Sequence, residues 1–176
     1  MFNSFTGISY WRASNVANRM NVVPTLEGGL KIEIESSIDW ITLERIAPDA
    51  LSNGRQRLPA RLGALMDEGA EWDELVVPEL EELFTGQLRT VRDSIEAAQQ
   101  EPSTPSGGTL VIRRAEGVDW YGALNQARMA LESCYQFGTS EENVVTEEFP
   151  PPKRSAYIRS QFYQALQSVL LEHLLD

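Results

Sequence analysis

Apolar positions along the chain repeat with two different periods. From Leu30 to Glu35 they alternate with polar ones, Leu30-Lys31-Ile32-Glu33-Ile34-Glu35, which predicts a strand with one face buried. Further on the spacing changes to three and four. Val76, Leu80, Leu83, Phe84, Leu88, Val91 and Ile95 mark one stripe of a long amphipathic helix within 70–100, with Pro78 in its first turn and acidic side chains near its positive end. Trp120, Leu124, Ala127 and Leu131, with Cys134 or Tyr135, predict a second helix from Asp119 to Phe137, with Gly138 as its C-cap. Ile158, Phe162, Leu166, Val169, Leu170 and Leu174 predict a last helix from about Ser155 to Leu174.

Shorter signals fill the rest. Ile8–Arg12 and Asn21–Val23 read as strands, Leu110-Val111-Ile112 as another, and Gly28-Gly29 as a turn. Ser36, Ser37 and Asp39 offer caps for a helix from Asp39 to Leu51, with Trp40, Leu43 and Ala47 inward and a kink or break at Pro48. A short helix is expected near Pro59, carrying Leu62, Leu65 and Met66. Residues 101–108 read as a linker, and 139–152, ending in Pro150-Pro151-Pro152, as a second exposed connection. Leu30 to Trp40 also echoes Leu110 to Trp120 at an offset of 80 residues. Both stretches read strand, short turn, branched apolar residue, Asp and Trp. Asp is expected to cap the helix and Trp to clamp its start on the sheet. Two equivalent strand–helix units that pair their strands and independent convergence on a good helix start both account for it.

Together these elements predict one α+β domain over 1–176, predominantly helical, with four or five helices and a small β-sheet. The length of 176 residues suits a single domain. Such a chain buries about 70% of its unfolded surface, enough for a core without disulfides or metals. Charge changes the picture more than composition does. The net charge is −11, and it is uneven: residues 67–101 hold eleven acidic side chains against two arginines, a net of −9, while residues 1–66 are nearly balanced. That segment repels a phosphate backbone and an anionic membrane, so direct nucleic-acid or membrane binding is not expected. It is a solvated helix face or a docking surface for a basic partner. The absence of a long apolar run or signal-peptide pattern makes the cytoplasm the expected location.

One cysteine, Cys134, and one histidine, His173, remove disulfides, thiolate clusters and histidine-pair metal sites. Cys134 is expected on a buried helix face as a small core hydrophobe, and His173 at a helix end. No catalytic residue, metal or cofactor is assigned. Gly28-Gly29 and Gly107-Gly108 lack phosphate-loop and dinucleotide spacing. Two patches are candidates for binding. Asn125 and Arg128 share a helix face three residues apart and, with Trp120 and Tyr121, form a polar-aromatic patch suited to a carboxylate. The alternative pairs Arg128 with an acidic side chain of another helix and Asn125 with a loop carbonyl. Arg55, Arg57 and Arg61 form the densest basic group, which contacts a phosphate or an acidic peptide or neutralises the acidic 67–82 stretch of the same chain.

Trp120, Leu124, Asn125, Arg128 and Leu131 resemble the signature near the carboxyl end of the uncharacterised bacterial family DUF2017, where Trp precedes Leu-Asn, Arg and Leu. Arg57-Leu58-Pro59 is similar to its Arg-Leu-x-Pro element, one spacer shorter, and the order of elements fits over about 30–176. The family's Gly-x-Arg-Leu-Gly continuation is replaced here by Glu132-Ser133-Cys134-Tyr135-Gln136-Phe137-Gly138. The resemblance implies no established reaction. Members often lie near genes for proteolytic adaptors, and a stress-linked regulatory role has been suggested for some; a paired-cysteine switch does not transfer to a chain with Cys134 alone. The expected function is therefore a non-catalytic regulatory or adaptor protein that binds another protein or a second copy of itself as a homodimer. The alternative is an enzyme or small-ligand binder using surface carboxylates with Arg128 and Asn125.

Overall fold

Alternation and turn chemistry build the sheet. The computed structural model describes residues 20–52, 58–63, 71–100, 107–138 and 148–175. Strands β1 (Asn21–Pro24) and β2 (Leu30–Ile34) form an antiparallel hairpin closed over Thr25–Gly29. Gly28 takes φ +79°, a left-handed conformation that disfavours a side chain, and the Thr25 hydroxyl accepts from the Gly29 amide at 2.9 Å. β3 (Gly108–Ile112) pairs antiparallel with the other edge of β2, giving the order β1-β2-β3. Leu30, Ile32, Ile34, Leu110 and Ile112 point into the core, as a period of two requires. Lys31, Glu33 and Val111 lie on the outer face. There the Lys31 ammonium and the Asn21 amide hold the Glu33 carboxyl below its ordinary value.

The register bears on the internal echo. Lys31 pairs with Val111, the residue 80 positions on, while Leu30 pairs with Ile112 and Ile32 with Leu110. An exchange of this kind is what a local twofold axis through the Lys31–Val111 pair produces. Helix α1 (Ser37–Glu44) and helix α5 (Gly117–Tyr135) begin at the same offset. The two strand–helix units therefore do pair their strands, but their aspartates part company. Asp39 accepts the amides of Ser36 (3.0 Å) and Glu35 (3.1 Å) at the start of α1, whereas Asp119 is no cap and accepts the Thr90 hydroxyl of another helix at 3.0 Å.

The remaining helices are α2 (Ile46–Leu51), α3 (Leu58–Gly63), α4 (Val77–Gln100) and α6 (Pro151–Leu174). A π-helical turn, Trp72–Val76, leads into α4. The Trp72 indole donates to the Pro59 carbonyl at 3.2 Å and lies against Gly63, where a side chain has no room. α5 is central: it packs against α2, α4 and α6. Its Trp120, Ala123, Leu124, Ala127 and Leu131 are buried together with Leu43, Ile46, Val91, Tyr163 and Leu170. The chain is thus a helix-dominated α+β domain with a small three-stranded sheet.

The break expected from Pro48 is present and falls at Arg45, three residues before it, because a proline ring collides with the carbonyl four residues back, here Glu44, the last residue of α1. Other local expectations are corrected. Pro151 and Pro152 do not belong to a connection; they open α6, where first-turn amides lack intrahelical acceptors and a fixed φ suits the helix. α5 ends at Tyr135 through Gln136, left-handed at φ 48°, rather than at Gly138. Phe137 then stacks on Tyr135 and meets Tyr157 edge-on, and Tyr157 meets Phe149, which fastens the start of α6 to the end of α5. Cys134 is exposed, not buried. On α6, Ile158 and Phe162 are only half-buried, and Ser160, Tyr163 and Gln167 lie inside instead. Residues Ile8–Arg12, Asn53-Gly54, Leu65 and Met66, and most of the two expected connections, lie outside the described residues.

The α4–α5 crossing depends on one missing side chain. The Gln87 amide lies directly over Gly122 and accepts from the Gln126 amide at 2.8 Å, and Gln126 also donates to the Phe84 carbonyl at 3.3 Å. Gly122→Ala is expected to push Gln87 off this network and to lower unfolding free energy by about 1–3 kcal/mol, read as a lower urea midpoint at unchanged m-value.

Candidate functional site

The candidate patch on α5 divides between two faces. Residues seven apart return to nearly the same face of a helix, so Tyr121 and Arg128 line the seam with α6, with Asn125 between them. Trp120 sits one residue, about 100°, away and turns into the core, where it is fully buried and its indole N–H meets no acceptor. It belongs to the packing and not to a patch.

Gln167 of α6 joins the other two sides of the seam. Its amide oxygen accepts from Arg128 Nη1 at 2.6 Å, and its amide nitrogen donates to the Tyr121 carbonyl at 3.2 Å. Arg128 is half-buried, and its Nε–H is closed off from solvent without an acceptor. Neither expected pairing is formed: Arg128 faces a neutral amide, and Asn125 donates to the Met129 thioether at 3.5 Å, a weak acceptor.

A second polar cluster was not foreseen. Asp49 of α2 is 1% exposed and grips Arg159 of α6 through both oxygens, at 2.6 Å from Nε and 3.0 Å from Nη2. The Tyr163 hydroxyl donates to the same carboxylate at 2.8 Å, and Arg45 approaches it at 3.6 Å. Burial first, then the adjacent carboxylate, pushes the Tyr163 phenol far above its ordinary value. Burial works against the Arg159 charge, but its bonds to Asp49 more than offset this and raise its value. The signal in sequence was the spacing Arg159, Tyr163, Gln167, a polar row four residues apart beside the apolar one. Every group in this cluster has a partner, so it is a clasp between helices.

The acidic segment forms a distinct surface. On the amino-terminal half of α4 the apolar stripe outruns the core: Leu83 is 51% exposed, Leu75 before it 60%, and Leu80 and Phe84 are half-buried. Asp73, Glu74, Glu79 and Glu82 surround them, exposed. Alongside runs an open groove of about 480 Å³ lined by Pro78, Glu81, Glu82, Thr85, Gly86 and Arg89. Gly86 has nothing within 4 Å of the position a Cβ would take.

The other candidates carry less. Arg55 and Arg57 lie outside the described residues; Arg61 falls in α3, and its side chain is not described. His173 lies in the last turn of α6, 4.0 Å from Glu172. Among the described residues, no three His, Cys, Asp or Glu side chains are grouped to hold a metal ion, and no helix is long and apolar enough to cross a membrane.

The model of DUF2017, a domain of unknown function, matches residues 39–175, and the chain belongs to that family. The match takes in the described helices but for the first two residues of α1, together with β3, and leaves the β1–β2 hairpin before it. No curated protein and no solved structure matches the chain significantly.

The clasp makes stability predictions. Arg159→Met leaves the Asp49 charge buried with too few partners and is expected to cost about 3–5 kcal/mol in urea unfolding. Because folding favours the neutral Tyr163 phenol, its contribution is complete below about pH 10, the ordinary phenol value, and is lost as pH rises beyond it. Tyr163→Phe should therefore flatten the fall of thermal midpoint between about pH 10 and 11.5 that the wild-type chain shows.

Proposed function

We propose that this member of DUF2017 is a non-catalytic regulatory or adaptor protein that acts by binding another protein, with the amino-terminal half of α4 as its docking face. The observation that carries this reading is the exposed continuation of the apolar stripe at Leu75 and Leu83 inside an acidic surround. Apolar anchors supply affinity when they are desolvated at the centre of an interface, and a charged rim selects and steers the partner.

The groove supports the same reading. A glycine in the interior of a helix costs roughly 0.8–1 kcal/mol relative to alanine, and Gly86 touches no neighbour that would explain it. It does leave room for another backbone to approach α4. The occupant that fits is a basic amphipathic helix of a different protein, whose apolar side chains meet Leu75 and Leu83 and whose lysines or arginines meet Glu79 and Glu82. A second copy of this chain fits poorly, because a symmetric dimer sets one acidic face against another.

Leu83→Lys combined with Glu82→Lys alters only exposed positions, so the fold should change by less than about 0.5 kcal/mol. Native co-purification should return one basic partner in stoichiometric amount with the wild-type chain, its affinity falling roughly thirtyfold for the double variant in titration calorimetry. Equal affinity for the variant, or no stoichiometric partner together with a monomer in sedimentation, would overturn the assignment.

A further inference from the structure

Arg128 differs from four of the other arginines in what it faces. Arg45, Arg92, Arg113 and Arg159 each face a carboxylate within 4.0 Å. Arg45, Arg92 and Arg113 are at least half exposed and need a counter-ion least. Arg128 is half-buried in the α5–α6 seam, and among the described residues its one hydrogen-bond partner is the neutral Gln167 amide. A guanidinium cannot shed its charge by losing a proton, so its burial has to be compensated by a partner. Among the described residues no acidic side chain is bonded to this group.

The unsatisfied atom indicates what is missing. Nη1, bonded to Gln167, lies on the Cδ side of the planar group. Nε and Nη2 form the opposite edge, which a carboxylate grips with two parallel hydrogen bonds. Nε–H on that edge is buried without an acceptor. Gln167, held at its other end by the Tyr121 carbonyl, fixes the guanidinium plane. Asn125, on the same face and bound only to the Met129 thioether, adds a second amide that is readily released. From this geometry we infer that the Arg128 edge is a binding site for the carboxylate of a small molecule, with Gln167 as its positioning residue. A carboxylate fits better than phosphate: the edge is flat, its Nη2 end is not among the buried atoms, and a planar anion presents two oxygens in its plane. This site is separate from the α4 docking face: Arg128 meets Gln167 of α6, whereas α4 meets α5 at Gly122 and Gln126.

Acetate is the probe, with chloride at equal ionic strength as reference. The Arg128 Nε–Hε resonance should shift and saturate with a Kd on the order of 1 mM, and the thermal midpoint should rise by a few degrees at roughly a hundredfold excess over that Kd. Arg128→Met should fold with a thermal midpoint no lower than wild type in chloride and should lose the acetate-dependent rise. A resonance that does not move, or that drifts equally in chloride, overturns the proposal. So does an acetate response retained by Arg128→Met, or inorganic phosphate saturating the resonance more tightly than acetate. The resonance on the wild-type chain decides the matter even if the variant does not fold.

Discussion

The buried Asp49 carboxylate is the constraint around which the helices are arranged. It ties α2 to α6 across 110 residues of sequence, with Arg159 and Tyr163 arriving together because they are one helical turn apart. Such a cluster is a weak source of net stability, since desolvating two charges consumes most of what their attraction returns. Its effect is on geometry. An apolar seam tolerates a small slide of one helix past another, whereas a bidentate ion pair with a third hydrogen bond does not. Once α6 is fixed to α2 in this register, α5 is enclosed between them.

The break at Arg45 serves the same end. A continuous helix from Ser37 to Leu51 would carry Asp49 along the axis of α1. Pro48 ends α1 at Glu44, and the short α2 turns Asp49 inward toward α6. Around α5 the pattern recurs in milder form: Gln87 with Gln126 and Thr90 with Asp119 on the α4 side, Gln167 with Arg128 on the α6 side. Each seam combines an apolar majority with a polar contact that selects its register.

Much of this architecture was legible in the sequence because it follows from periodicity. Alternation from Leu30 to Ile34 placed β2, and three-four spacing placed α4, α5 and α6 to within a few residues. Periodicity reports a preferred face, however, and not what covers it. Leu83 continues the stripe of α4 perfectly well and is still exposed, because among the described elements α5 spans only part of that helix. Cys134 likewise extends the period of α5 beyond the point where α2 and α6 enclose it. Polar residues at core positions were the larger gap. Asp49, Tyr163 and Gln167 are buried only because their partners lie 39 to 114 residues away, and no local pattern encodes such a pairing. The Trp120–Arg128 patch was legible in part: Tyr121, Asn125 and Arg128 share the seam with α6, while Trp120, one residue off that face, turns into the core.

Among the described residues two buried side-chain donors remain unsatisfied, and they do not mean the same thing. The Trp120 indole N–H is neutral, and the ring around it is the largest fully buried side chain in the core. One lost hydrogen bond costs about 1–3 kcal/mol, which the burial of so large an apolar surface readily outweighs. Arg128 has no such recompense. It brings a full charge and a long side chain of high rotamer entropy into the seam, and a leucine or methionine there would pack more favourably. Folding alone therefore explains the tryptophan and leaves the arginine unexplained. In a chain with a net charge of −11, a half-buried cation that meets no carboxylate among the described residues is suited to an external one.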